Sequence, residues 1–262
     1  MPLYFLALSA FVLASFLVGV DSEIIHRIWI NALFLTGWFI FGQGLDSVPY
    51  TLTWSLSVEE FAYLLLGISA LLGRRFLKVS IIFLCIAPLI LRLHLNYQSA
   101  ENLYYFPLTR VDSIAMGALM ALTFRHSRVL LLVLPVLLAL LYMASLTDAA
   151  IRKTLLFTMI SVATCFFILL FEMIERRARI RQLIPLAKVG FYSYFIYLFH
   201  YFNIRAVMMV FGDHLTSQFS IWIVAGICFA LTLIQAMVSF HVFEGPMMAL
   251  GRRLERRPML AR

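Results

Sequence analysis

The side chains of this sequence that could do chemistry cluster in three short stretches. The first is Thr53-Trp54-Ser55-Leu56-Ser57-Val58-Glu59-Glu60-Phe61-Ala62-Tyr63, which ends a polar loop and runs directly into the apolar Leu64–Leu72. Positions four apart share a helix face, so Ser55, Glu59 and Tyr63 form one polar stripe, with Glu60 about 100° away toward Leu56 and Leu64. A charge inside an apolar helix costs roughly 2.5–3.5 kcal/mol, so it calls for a reason. Glu59 is the better candidate for an inward-facing functional acid, with Trp54, Ser55 and Tyr63 as its binding wall. The plainer reading places both glutamates at headgroup level as solvated boundary residues.

The second stretch is Arg110-Val111-Asp112. Two residues apart on a helix, the two charges point to different sides. Arg110 either snorkels to the interface or counters negative charge that develops in a reaction. Asp112 is too short to snorkel far. The small residues behind it, Ser113, Gly117 and Ala121, allow close helix contact. Its partner is therefore Arg110 across a turn distortion, or a basic group elsewhere. The third stretch, Gly190–His200, puts Ser193, Tyr197, His200 and Tyr201 at i, i+4, i+7 and i+8. That is one helix face, read either as a polar seam between helices or as a site wall in which His200 serves as base or relay.

These residues must be positioned by membrane helices. Of the 262 residues, 63% are hydrophobic and 13% charged, with a mean hydropathy of +0.95. A soluble domain carries about 25% charge, so this composition describes a polytopic, all-α membrane bundle. Eight apolar runs approach the length needed to cross a hydrocarbon core of about 30 Å. They are 3–20, 55–72, 77–93, 110–124, 129–146, 154–172, 188–210 and 219–240. No repeat or low-complexity linker interrupts them, which reads as a single domain over 1–262.

Charge sets the expected orientation. Arg74, Arg75, Lys78, Arg125, Arg128, Arg176, Arg177, Arg179, Arg181, Lys188, Arg252, Arg253, Arg256, Arg257 and Arg262 hold 15 of the 21 basic residues, all in alternate loops and the tail. The positive-inside rule makes those segments, and both termini, cytoplasmic. The net charge of +8 thus reports topology and not nucleic-acid binding. Cys85, Cys165 and Cys228 each sit in an apolar run, with no disulfide or metal spacing. The first run lacks the basic flank and cleavage site of a signal peptide. Between 21 and 54, Ile28–Phe41 is apolar but too short to cross; it is either an interfacial or re-entrant segment, or a surface loop anchored by Trp29 and Trp38. Glu244 reads as a structural acid at a helix end.

Together these residues resemble the acyltransferase 3 family, the integral-membrane O-acyltransferases of bacterial cell-surface and secreted carbohydrates. Pro2-Leu3-Tyr4 looks like the start of the family's third helix. Thr53–Tyr63 is similar to its Trp-Ser-Leu-x-Val-Glu signature, with Ala62 where an aromatic is usual. Arg110-x-Asp112 with Gly117 resembles its Arg-x-Asp helix, Gly190–His200 its Ser-Tyr-x-x-Tyr-Leu-x-His helix, and Glu244-x-Pro246 its closing motif.

The resemblance implies transfer of an acyl group, usually acetyl from acetyl-CoA, to a sugar hydroxyl at the bacterial inner membrane. Acyl-CoA is then a donor substrate, the glycan the acceptor, and no cofactor is bound. In that setting Glu59, Asp112, Arg110 and His200 are the catalytic candidates, and Trp54, Ser55, Tyr63, Ser193 and Tyr197 line the substrate. The family's presumed catalytic histidine and its Arg-x-x-Arg pair lie upstream of the matched stretch, in a ten-span arrangement whose third to tenth helices correspond to the runs here. The resemblance therefore leads one to expect two further spans before Met1. It also leads one to expect that 1–262 alone is inactive, and of low stability or oligomeric. Two other readings use the same side chains: a transporter or flippase with a Glu/Asp/His relay, and a silent paralogue that binds a partner helix. No Gly-x-Ser-x-Gly elbow, P-loop or zinc spacing occurs.

Overall fold

The structure, a computed structural model, describes residues 2–19, 22–95, 103–123, 149–178, 184–212 and 218–255, with a few more between 135 and 146. The helices are α1 (Pro2–Val18), α2 (Ser22–His26), α3 (Ile28–Ala32), α4 (Thr36–Gln43), α5 (Trp54–Leu71), α6 (Arg74–Leu95) and α7 (Asp112–Thr123). They continue with α8 (Ala149–Ala178), α9 (Ile184–Phe191), α10 (Ser193–Phe211), α11 (Gln218–Ser239) and α12 (Gly245–Glu255). Among the described residues, five stretches are long and apolar enough to cross a membrane: Thr51–Leu71, Arg74–Leu95, Thr154–Glu175, Ser193–Phe211 and Ile221–Arg252. Pro2–Val18 and Asp112–Leu122 are shorter apolar helices. The expected run 129–146 lies largely outside the described residues.

Boundaries depart from expectation in three places. Arg110 stands in the turn before α7 rather than within the helix. The run 188–210 is interrupted at Tyr192, between α9 and α10. The last run does not end at Glu244: a π turn, Phe240–Glu244, joins α11 to α12, so Glu244 is an interior residue of a 32-residue helix. Single π turns widen the helix by one residue and re-aim the side chains on it.

The chain divides into two compact units. The central unit, Asp21–Ile180, holds α2 to α8. Its apolar core is Val58, Ala62, Leu84, Val111 and Ala115, contributed by α5, α6, α7 and the turn before it. Positions 58 and 62 are one helical turn apart, and small Ala62 and Ala115 let the backbones approach. Ser69 adds a hydroxyl bond at 2.8 Å to Ser80 between α5 and α6. The terminal unit, Met1–Val20 with Arg181–Arg262, holds α1 and α9 to α12. There α10 packs on α11, and α1 meets α10 through Phe11 and Phe202, whose ring centres are 6.4 Å apart.

The segment 28–43 is no surface loop. It folds as the short pair α3 and α4, reversed at Phe34 with φ 58°, and Ile30, Asn31, Thr36, Gly37 and Ile40 are buried. A polar knot holds it. The Asn31 Nδ2 donates to the Tyr50 carbonyl at 2.7 Å and to Thr53 Oγ1 at 2.8 Å, with Thr36 Oγ1 at 3.1 Å. Gly37 N–H donates to Ser57 Oγ at 3.2 Å. A Cβ at Gly37 would lie 2.5 Å from the Tyr105 carbonyl oxygen, so only glycine permits this approach of α4 to the 103–107 loop.

Candidate functional site

In the central unit, the N-terminus of α5, the C-terminus of α6 and the N-termini of α7 and of the apolar part of α8 meet at one end. Arg92, one turn beyond Pro88 in α6, is fully buried there. Its Nη2 donates to Asp112 Oδ2 at 2.6 Å and to Thr158 Oγ1 at 2.6 Å, and its Nη1 donates to the Thr109 carbonyl. Asp112 is equally buried, and its other oxygen accepts the Ser113 N–H at 3.0 Å. Of the two partners open to Asp112, the structure selects the basic group elsewhere. Ser113 reaches α8 as well, 2.7 Å from Ser161 Oγ. The carboxylate is thus spent on tying α6, α7 and α8 together, with no free face for a ligand.

Arg110 is released by that arrangement. Its guanidinium lies 4.9 Å from the Tyr104 ring centre and 4.5 Å from that of Phe157. Trp54, half-buried at the head of α5, extends the aromatic wall: its ring lies 4.7 Å from Tyr104 and 5.4 Å from Tyr105.

The stripe Ser55–Glu59–Tyr63 does not face this unit's core. Leu56, Ser57, Val58 and Ala62 are the buried positions, Ser55, Glu59 and Glu60 are half-buried, and Tyr63 is 55% exposed. The packing contacts of α5 centre on Val58 and Ala62, about 100° around the helix from Glu59. Packing within this unit leaves Glu59 and Glu60 both half-buried and does not rank one above the other.

In the terminal unit, Ser193, Tyr197 and His200 line a single groove between α10 and α11, of about 850 Å³. The remaining wall is apolar apart from Thr232 and Cys228, with Ile204, Met208 and Phe229 prominent. His200 Nδ1 donates to the carbonyls of Tyr197 at 2.8 Å and Ile196 at 3.0 Å. Carbonyls only accept, so Nδ1 carries the proton and Nε2 is the basic nitrogen. Below the groove, Asn203 donates to Thr232 Oγ1 and Gln235 Oε1, both at 2.8 Å, and Gln235 donates back to Asn203 Oδ1 at 3.2 Å. Glu244 lines a smaller cavity of about 260 Å³ with Leu3, Tyr194 and Met247.

Sequence reading missed Arg92, Thr158, Tyr104 and Phe157. A usable signal existed for the first: an arginine inside an apolar helix and an unplaced aspartate each need a partner. Nothing comparable marked the aromatics.

Fold and composition together define a membrane-embedded, all-helical protein with several long apolar helices. Comparison of the chain with protein-family models, with curated proteins and with solved structures yields no match.

Proposed function

We propose that this protein is a multi-pass O-acyltransferase of the acyltransferase 3 type in a bacterial inner membrane, moving an acyl group, acetyl in the first instance, from acyl-CoA to a sugar hydroxyl of an exported or cell-surface glycan. The observation that carries the reading is the ordered set of motifs Thr53–Tyr63, Arg110-x-Asp112, Gly190–His200 and Glu244-x-Pro246. Supporting it, Trp54 of the first motif and Arg110 of the second lie on one aromatic wall through Tyr104. In the reaction the hydroxyl oxygen attacks the thioester carbonyl carbon and the C–S bond breaks. The hydroxyl proton passes through a base to the departing thiolate. The resemblance gives His200 the role of base, through the Nε2 left unprotonated, Glu59 that of an orienting acid, and Arg110 that of a positive charge countering the developing negative one. Asp112 acts through position, holding the turn that presents Arg110. The accompanying topology has eight spans and cytoplasmic termini, with labels at Asn102 and Asp213 reactive in intact cells and one at Arg177 protected.

A second reading, a transporter or flippase, is favoured by one feature: the broken pair α3–α4, since discontinuous helices build transporter sites. The test uses membranes containing the protein as its cell makes it, with acetyl-labelled CoA and the surface glycan. Label should enter the glycan, and Glu59→Gln should slow transfer more than Glu60→Gln at equal abundance. Equal rates for the two variants remove the Glu59 assignment. No transfer, with substrate accumulating in vesicles, selects the transporter.

A further inference from the structure

Two arginines stand near the N-terminus of α7, and among the described residues one carboxylate, Asp112, is in reach of them. Asp112 belongs to Arg92, at 2.6 Å. Among the described residues the Arg110 side chain makes no hydrogen bond or ion pair; only its backbone is bonded, to the Pro107 carbonyl and the Ser113 N–H, so the guanidinium fork has no acceptor there. Asp112 attracts Arg110 without touching it, while Arg92 repels it, so two guanidinium groups share one carboxylate and a net positive charge is left for a ligand to meet. The side chain is also not swinging toward solvent, because Tyr104 and Phe157 both hold the guanidinium by ring contacts. Such contacts use the face of the guanidinium and leave its edge donors available. The site is open from one side, since Tyr104 is 40% exposed. Trp54, Tyr104 and Tyr105 form the kind of aromatic belt that marks headgroup depth, where the abundant anion is phosphate.

The geometry points to Arg110 as the binding residue for a phosphate oxyanion at the α5/α7 end of the central unit, gripped edge-on by the guanidinium while the aromatic wall packs the group that carries it. A planar, pre-oriented fork suits the paired oxygens of phosphate, and a lysine cannot reproduce it. Positive-inside topology puts this end opposite the basic loop that holds Arg74, Arg75 and Lys78, so the phosphate belongs to a ligand on the outer side. The assignment rests on the surroundings of Arg110 and not on acyl transfer being the reaction; loss of one does not remove the other.

The test is a titration of the purified full chain in dodecyl maltoside, read as the midpoint of thermal unfolding. One arm adds inorganic phosphate at constant ionic strength with chloride; the other adds mixed micelles of phosphatidylglycerol, with diacylglycerol micelles as the uncharged control. The wild-type midpoint should rise saturably in at least one arm, and the arm responding at lower concentration identifies a soluble phosphate or a lipid headgroup as the source. Arg110→Leu should abolish the response. Arg110→Lys should weaken it about tenfold, and carries the test if Arg110→Leu does not fold. Arg205→Leu, which removes an exposed arginine stacked on Tyr201 in the terminal unit, should leave it unchanged. No saturable rise in either arm, or equal affinity in wild type and the Arg110 variants, overturns the assignment.

Discussion

The two units treat the polar residues of their candidate motifs in opposite ways. In the central unit the polar groups are sunk into the packing: Arg92, Asp112, Asn31, Thr36, Thr53 and Thr109 have essentially no exposure, and each is bonded to another element or to a loop. In the terminal unit the stripe Ser193–Tyr197–His200 stays open to a groove, and His200 bonds to carbonyls of its own helix. Buried polar networks specify how helices dock, and they cost stability when half of a pair is removed. An open polar stripe contributes little to docking and lies on a groove wall that a ligand can reach. The difference assigns structural work to Asp112 and leaves Arg110 and His200 as the residues on which the proposed chemistry rests.

The comparison is broken most readily through Arg92. Arg92→Leu strands a buried carboxylate and should cost about 3–5 kcal/mol, seen as a collapse in folded yield and a large drop in the unfolding midpoint in detergent. A variant that folds like wild type would show that Asp112 has another counter-charge. Next in size is Gly37→Ala, whose new Cβ meets the Tyr105 carbonyl oxygen at 2.5 Å. The backbone must shift, at about 1–3 kcal/mol, and a wild-type midpoint would mean α4 does not press on the 103–107 loop as described.

Within the terminal unit, Asn203→Leu removes the reciprocal amide bonds to Gln235 and the bond to Thr232. Interhelical bonds in membranes are worth about 0.6–1.7 kcal/mol, so the midpoint should fall measurably but less than for Gly37→Ala at its upper range. His200→Gln comes last, with a change within about 0.5 kcal/mol. A larger loss would make His200 a packing residue and erase the contrast between the units.

Much of this was legible from the residue pattern. Apolar runs located the long helices because a span has to be apolar along its whole length, and the i, i+4, i+7 spacing placed Ser193, Tyr197 and His200 on the wall of one groove. Which side of α5 faces the core was not legible. Its apolar residues surround the helix, so periodicity alone could not separate the Val58–Ala62 face from the Ser55–Glu59–Tyr63 face. Partner choice was hidden for a different reason. Arg92 stands in α6 and Asp112 at the start of α7, and helical spacing carries no information about contacts between helices. The aromatic slot around Arg110 is built from Tyr104 in a loop and Phe157 in α8, a pairing that only packing creates.

The central claim is that Asp112 is paired with Arg92 and thereby leaves Arg110 unpaired. A double-mutant cycle on the unfolding midpoint tests it directly, comparing Arg92→Leu with Asp112→Leu, and Arg110→Leu with Asp112→Leu. The account predicts strong coupling in the first cycle, with the double variant more stable than either single one, since removing both charges leaves nothing stranded. It predicts near-additive losses in the second. Strong coupling between Arg110 and Asp112, with additivity between Arg92 and Asp112, would contradict it.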